Sequence, residues 1–184
     1  MASCKATSGL TTTCEDLLRV GGLSKTFWVG YLSELDTQIS LDQVADVNAL
    51  DFIAYGGLRR FDGNKFSHSA GYEVQRATGG TVSYKHSVSV KLLSDSTADD
   101  VTLQELSLGQ DIFIVAEDNN RDFFIFGAGN GLSVESGAQN SGETGDADAR
   151  VTMVFSGQEK TLPIRFELGG GYQATLNYLQ SFEL

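Results

Sequence analysis

Thr81-Val82-Ser83-Tyr84-Lys85-His86-Ser87-Val88-Ser89-Val90-Lys91-Leu92 alternates along its length. Val82, Tyr84, His86, Val88 and Val90 fall on one parity, and Ser83, Lys85, Ser87 and Ser89 on the other. Successive side chains of an extended chain point to opposite faces. A period of two therefore marks a strand with one face in a core and the other against solvent or a partner. This is the clearest strand in the chain, and it sets the expectation of a mainly β fold.

Thr78-Gly79-Gly80 separates that strand from Tyr72–Ala77, which predicts a hairpin. A second hairpin is predicted where Asp62-Gly63-Asn64 lies between Leu58–Phe61 and Lys65–Ala70. Glycine supplies the positive φ that such turns need. Lys25–Leu32 (Lys-Thr-Phe-Trp-Val-Gly-Tyr-Leu) reads as a strand by its aromatic and β-branched content, and Ala49–Tyr55 as another. Leu35–Asn48 has no clean period. Residues 1–22 are rich in Thr, Ser and Gly and read as an extended N-terminal arm, with one helical turn at Cys14–Leu18 and Gly21-Gly22 closing it.

Beyond Leu92 the character changes. Ser96 or Thr97 is placed to cap a helix, with Asp99 and Asp100 in its first turn, where acids suit the helix dipole. Val101, Leu103, Leu106 and Leu108 are spaced helically and Gly109 terminates the run, so a flanking α-helix is predicted over about 93–108. Asp111–Glu117 and Asp122–Gly127 follow, separated by Asp118-Asn119-Asn120-Arg121. Their inner runs, Ile-Phe-Ile-Val-Ala and Phe-Phe-Ile-Phe, are apolar on both faces, as in the centre of a sandwich or at a subunit interface. Leu132–Ser136 continues the sheet, Gly137–Gly145 reads as a polar surface loop, and Ala149–Ser156 with Thr161–Leu168 reads as a last strand pair. Tyr172–Phe182 is open between strand and short helix, with helix preferred. The sum is a single domain over 1–184, an antiparallel β-sandwich or curled barrel with one flanking helix.

Composition agrees. Glycine is abundant at 21 residues, there is one proline, and Phe plus Tyr number 17. Aromatics favour strands, and glycine favours the turns between them. No apolar run approaches the ~18 residues that span a bilayer, so no membrane partner is expected. Met1-Ala2-Ser3-Cys4-Lys5 contains no apolar core of a secretory signal, which predicts folding in a cytosol.

The net charge of −11 is local. Residues 93–148 hold twelve acids against the single base Arg121, while the rest of the chain is balanced. A nucleic-acid binder carries the opposite sign. The acidic stretch serves either solubility or a surface that must repel phosphates.

Little here points to catalysis. Gly127-Ala128-Gly129-Asn130-Gly131 departs from G-x-G-x-x-G, lacks a following Lys-Ser/Thr and reads as a glycine-rich bulge or turn. Asp146-x-Asp148 lacks EF-hand spacing and reads as solvated loop acids. His86 sits among valines, as a core or interface histidine does. His68 lies between Ser67 and Ser69, but neighbours on a strand alternate faces and form no triad. Cys4 and Cys14 make no zinc cluster with two histidines. A Cys4–Cys14 bridge would close a short loop, which spacing alone leaves open. The chain is expected to be non-enzymatic and to need no cofactor or metal.

Three stretches carry a resemblance. They are Cys4 to Gly22, where two cysteines bracket a Thr-rich loop; Asp111 to Leu132; and Gly169-Gly170-Gly171-Tyr172-Gln173-Ala174-Thr175-Leu176-Asn177-Tyr178. Together they cover roughly a third of the chain. They resemble virion structural proteins of tailed phages and are most similar to tail tube subunits. The resemblance implies a β-sandwich subunit of the virion that forms hexameric rings. The rings stack into a tube whose channel passes genomic DNA, and the tube meets other tail proteins such as sheath, baseplate or terminator. A channel that conducts DNA without binding it should be acidic. That makes Asp118, Asp122, Glu135, Asp146 and Asp148 candidate lumen residues, and Phe123, Phe124 and Phe126 candidates for subunit contacts. The arm and the 137–145 loop would suit contacts between rings.

Two other readings remain: a capsid decoration or other head–tail protein, and a carbohydrate-binding sandwich using Trp28, Tyr31 and Tyr55 as an aromatic platform.

Overall fold

The computed structural model describes residues 21–37, 39, 50–63, 67–92, 96–140 and 150–184. Cys4, Cys14, the arm up to residue 20, Asp146 and Asp148 lie outside the described residues.

The fold is mainly β, built from two antiparallel sheets and two helices. The strands are β1 (Leu23–Tyr31), β2 (Arg59–Asp62), β3 (Ser69–Arg76), β4 (Val82–Leu92), β5 (Ile112–Asp118), β6 (Phe123–Phe126), β7 (Ser133–Asn140), β8 (Arg150–Glu159) and β9 (Ile164–Phe166). The helices are α1 (Thr97–Leu108) and α2 (Gly171–Ser181). One sheet has the order β2-β1-β5-β6-β9 and the other β3-β4-β8-β7. Among the described residues both sheets stay open and form no closed barrel, so the architecture is a sandwich with a flanking helix.

Alternation does what β4 promised. Val88, Val90 and Leu92 are buried against the five-stranded sheet, together with His86, and the serines and lysines of the other parity form the outer face. From the opposite sheet Phe27, Val29, Ile112, Ile114, Ala116 and Phe126 enter the same core, joined by Met153 and Phe155 of β8. The other parity of the five-stranded sheet is also covered. Trp28, Phe113, Val115, Phe123, Ile125, Ile164 and Phe166 pack under α2 and under Ile39, Leu50 and Phe52. The molecule is therefore layered as sheet, sheet and helix. β5 and β6 lack alternation because both of their faces are interior. Each fully buried aliphatic or aromatic side chain contributes roughly 1.5–3 kcal/mol of transfer free energy.

α1 starts at Thr97, within the predicted span. Ser96 accepts from the Asp99 amide at 3.2 Å, while the Asp99 carboxylate accepts from the Ser96 amide at 3.1 Å. This reciprocal capping box satisfies two amides that a helix start leaves open. Leu106 is buried and Leu103 packs against the sandwich core, whereas Val101 and Leu108 stay exposed. α2 is helical, as preferred for Tyr172–Phe182. Tyr172 stacks on Phe123 with centroids 5.6 Å apart, and Tyr178 and Phe182 continue the aromatic layer.

Several local expectations are corrected. The Tyr72–Leu92 hairpin forms, with Arg76 opposite Val82 and Gly80 at φ 87. Asp62-Gly63-Asn64 does not join a hairpin, because β2 pairs with β1 while β3 belongs to the other sheet. The last strand pair is likewise split: β8 pairs with β4 and β7, and β9 with β6. β7 runs in the four-stranded sheet and extends through residues 137–140, the start of the expected loop. Ala49–Tyr55 contributes only the Phe52–Leu35 bridge among the described residues. In each case a local turn signal or apolar run was outweighed by the need to cover a distant sheet face.

Candidate functional site

Asp118 and Asp122 sit on the β5–β6 turn and both have internal work. Asp118 Oδ1 accepts from the amides of Asn120 at 2.7 Å and Asp122 at 2.9 Å, and Oδ2 accepts from Asn120 Nδ2 at 2.9 Å. A short carboxylate that replaces backbone acceptors is what holds such a turn closed. Asp122 pairs with Arg165 of β9 at 2.9 Å. Arg121, at φ 70, lays its guanidinium 5.3 Å from the Tyr172 ring centroid. Nearby Glu117 has its carboxyl pushed above the usual range, first by burial, although Tyr172 and Ser24 hydrogen-bond it.

Glu135 lies elsewhere, on β7 in the other sheet. It accepts from Lys85 Nζ at 2.7 Å, and that bond leads the effects holding its carboxyl below the usual range. The structure thus brings Asp118 and Asp122 together and sets Glu135 apart.

The three phenylalanines are engaged within the chain. Phe123 is buried between Trp28 and Tyr172, Phe126 is buried in the sandwich, and Phe124 is half-buried with Arg165 5.8 Å from its ring centroid. Burial under α2 and the second sheet accounts for their two-sided apolar character without a second subunit. Nor do Trp28, Tyr31 and Tyr55 share a platform. Trp28 is buried and donates to Glu183 at 2.8 Å, Tyr31 is half-buried under Arg59, and Tyr55 stands alone in solvent.

The glycine-rich turn after β6 does hold an anion, but one belonging to the chain. The amides of Gly129, Asn130 and Gly131 all donate to the Glu159 carboxylate, at 3.2, 2.9 and 3.2 Å. Gly131, at φ 82, lies so close to Asp111 that a Cβ would stand 2.4 Å from its Cα. Successive backbone amides converging on one point form an anion nest. Buried Glu159 at the end of β8 fills it. Sequence reasoning missed this residue because it sits between two strands, where a carboxylate reads as solvated, and its partners lie about thirty residues away.

His86 of β4 pins the same turn. Its Nδ1 accepts from the Gly127 amide at 3.3 Å, so Nε2 carries the proton it donates to the Thr161 carbonyl at 2.9 Å. The ring meets Phe126 edge-on, with Tyr72 opposite it on β3 and Glu159 close by on β8. Burial pushes the imidazole below its ordinary value, against the opposing effects of the Thr161 carbonyl and Glu159. An unfolded histidine takes its proton near ~6.5, and this folded one only at lower pH. Between those values the unfolded chain binds the extra proton, so stability rises with pH. The urea midpoint should fall as pH drops below ~6.5, and His86→Gln should flatten that slope. Glu117 acts in the opposite sense: burial raises its pKa, so the folded chain holds the extra proton and its contribution is lost as pH rises above the ordinary carboxylate value. An unchanged slope in the variant would remove His86 from the account.

Between the two sheets, where β1 begins and β5 ends, lies an open cleft of about 540 Å³. Its walls are mainly apolar: Leu23, Tyr72, Phe124, Phe126, Leu162 and Pro163. Beyond it the β3–β4 hairpin overhangs the five-stranded sheet. Tyr72 and Val74 are 48% and 61% exposed there, although they lie on the core parity of their strand.

No known family model, curated protein or solved structure matches the chain.

Proposed function

We propose that the chain is a non-enzymatic, self-associating structural subunit of the tail-tube kind, forming hexameric stacked rings in a virion and passing DNA without binding it. One observation carries this reading. The β3–β4 overhang presents Tyr72, Val74 and Val82 to solvent beside β3, which is an edge strand of its sheet. An apolar edge of this length is a template for pairing with another chain unless something covers it. The resemblance in Asp111–Leu132 and Gly169–Tyr178 supports the specific class. The acid excess in 93–148 supports a channel that repels phosphates.

The test is negative-stain electron microscopy of the concentrated protein. Rings or hollow tubes are expected; discrete monomers or trimers at high concentration would favour a decoration or binding role. Assembled particles should leave a labelled DNA duplex unshifted in a gel, whereas particles carrying Glu135→Gln, Asp146→Asn and Asp148→Asn should retain it. Asp118 and Asp122 are poor choices for that test, because their carboxylates also hold the β5–β6 turn.

A further inference from the structure

Tyr55 is the most exposed large apolar side chain among the described residues, at 98%. It has φ 69, a conformation that costs a bulky residue energy and is kept where something else repays it. The turn around it is firmly built: the Ile53 amide donates to the Glu34 carbonyl and the Gly56 amide to the Ile53 carbonyl, both at 2.9 Å. Ile53 is 43% exposed beside it. Leu184, 69% exposed, lies against Gly57, where an added Cβ would meet its Cγ at 2.8 Å. The result is a rigid apolar knob.

The knob and the 540 Å³ cleft lie at opposite ends of β1. The cleft is at Leu23 and the knob is held by Glu34, just past Tyr31. Nine extended residues separate them by roughly 30 Å, so a knob cannot enter the cleft of its own chain.

We infer that the cleft bounded by Leu23, Tyr72, Phe124 and Pro163 receives Tyr55 of a second copy of this chain. This rests on the self-association proposed above and specifies its contact. The two halves of the joint differ, so the contact is heterologous: it repeats head to tail and either closes a ring or extends a stack. Area points the same way. A buried aromatic removes about 150–250 Å² from water, against about 800 Å² per partner in a stable pairwise interface. A single joint is thus too small to hold a dimer, and association should appear only above a threshold concentration, once joints repeat. Ile53 and Leu184 on one side, and Tyr72 and Val74 on the other, widen the contact.

The experiment compares the full chain with Tyr55→Asn by sedimentation velocity over a concentration series. Asparagine tolerates the left-handed conformation and Tyr55 makes almost no contact within its own chain, so the variant should fold as well as the original. It should need about tenfold more protein to associate. In parallel, a photo-crosslinking phenylalanine analogue at position 55, in a mixture of isotopically light and heavy chains, should join peptides 69–72 or 162–163 of another copy. Undiminished association of Tyr55→Asn, or crosslinks mapping elsewhere, would overturn this joint while leaving self-association standing. An original chain that stays monomeric throughout would overturn both.

Discussion

Glu159→Ala lowers the unfolding free energy by about 3 kcal/mol or more, read as a fall in urea midpoint with an unchanged slope. The effect is large because three amides converge on one buried carboxylate. Removing it leaves the buried Gly131 amide without a partner and strips the charged acceptor from the amides of Gly129 and Asn130, and each unsatisfied buried group costs about 1–3 kcal/mol. Glu159→Gln keeps the shape and one acceptor oxygen, so it should lose distinctly less. The vacated nest should also accept an added anion, and sulfate should restore more stability to Glu159→Ala than to the original chain. A loss under about 1 kcal/mol would show that the turn stands without its carboxylate.

Phe113→Ala is the second large loss, about 3–5 kcal/mol. The ring is fully buried between the five-stranded sheet and the layer above it. It fits only because its cross-strand partner is Gly30, where an added Cβ would stand 2.4 Å from Phe113 Cζ. Gly30→Ala alone should therefore cost roughly 1–3 kcal/mol by overpacking. In a Phe113→Leu background the same change should cost far less. Double-mutant analysis would give a coupling of about 1 kcal/mol or more, and strictly additive losses would refute the proposed fit.

The elements legible in the sequence are those whose code is local. β4 alternates because one of its faces is wet, and the Ser96–Asp99 box announces α1 within a single turn of chain. Sheet membership was not legible. Asp62-Gly63-Asn64 carries the chemistry of a hairpin, yet β2 and β3 part there, because β2 completes a sheet with β1 and β3 completes one with β4. Two-sided burial was visible in Phe123–Phe126, but the sequence did not say whether the chain or a neighbour supplied the second face. α2 supplies it.

The candidate site was less legible still. Asp118 and Asp122 stand out as acids, whereas their hydrogen bonds into the turn and to Arg165 depend on how the turn folds. Tyr55 shows in the sequence only as one aromatic among several. Its isolation at the tip of a turn is a property of Glu34 and Gly56, which hold that turn from either side.

The strand order also governs when the fold can form. Tyr31 of β1 pairs with Ile112 of β5, about 80 residues later, and Leu92 of β4 pairs with Val151 of β8, about 60 residues later. Chains dominated by such distant pairings fold in milliseconds to seconds, since loop closure must precede the reward of contact. At about 5–20 residues per second of synthesis, β1 leaves the ribosome several seconds before its central partner exists. During that interval Phe27, Trp28 and Val29 are exposed on a nascent chain, so yield in the cell should depend on translation speed and on holdase chaperones as much as on the stability of the finished subunit.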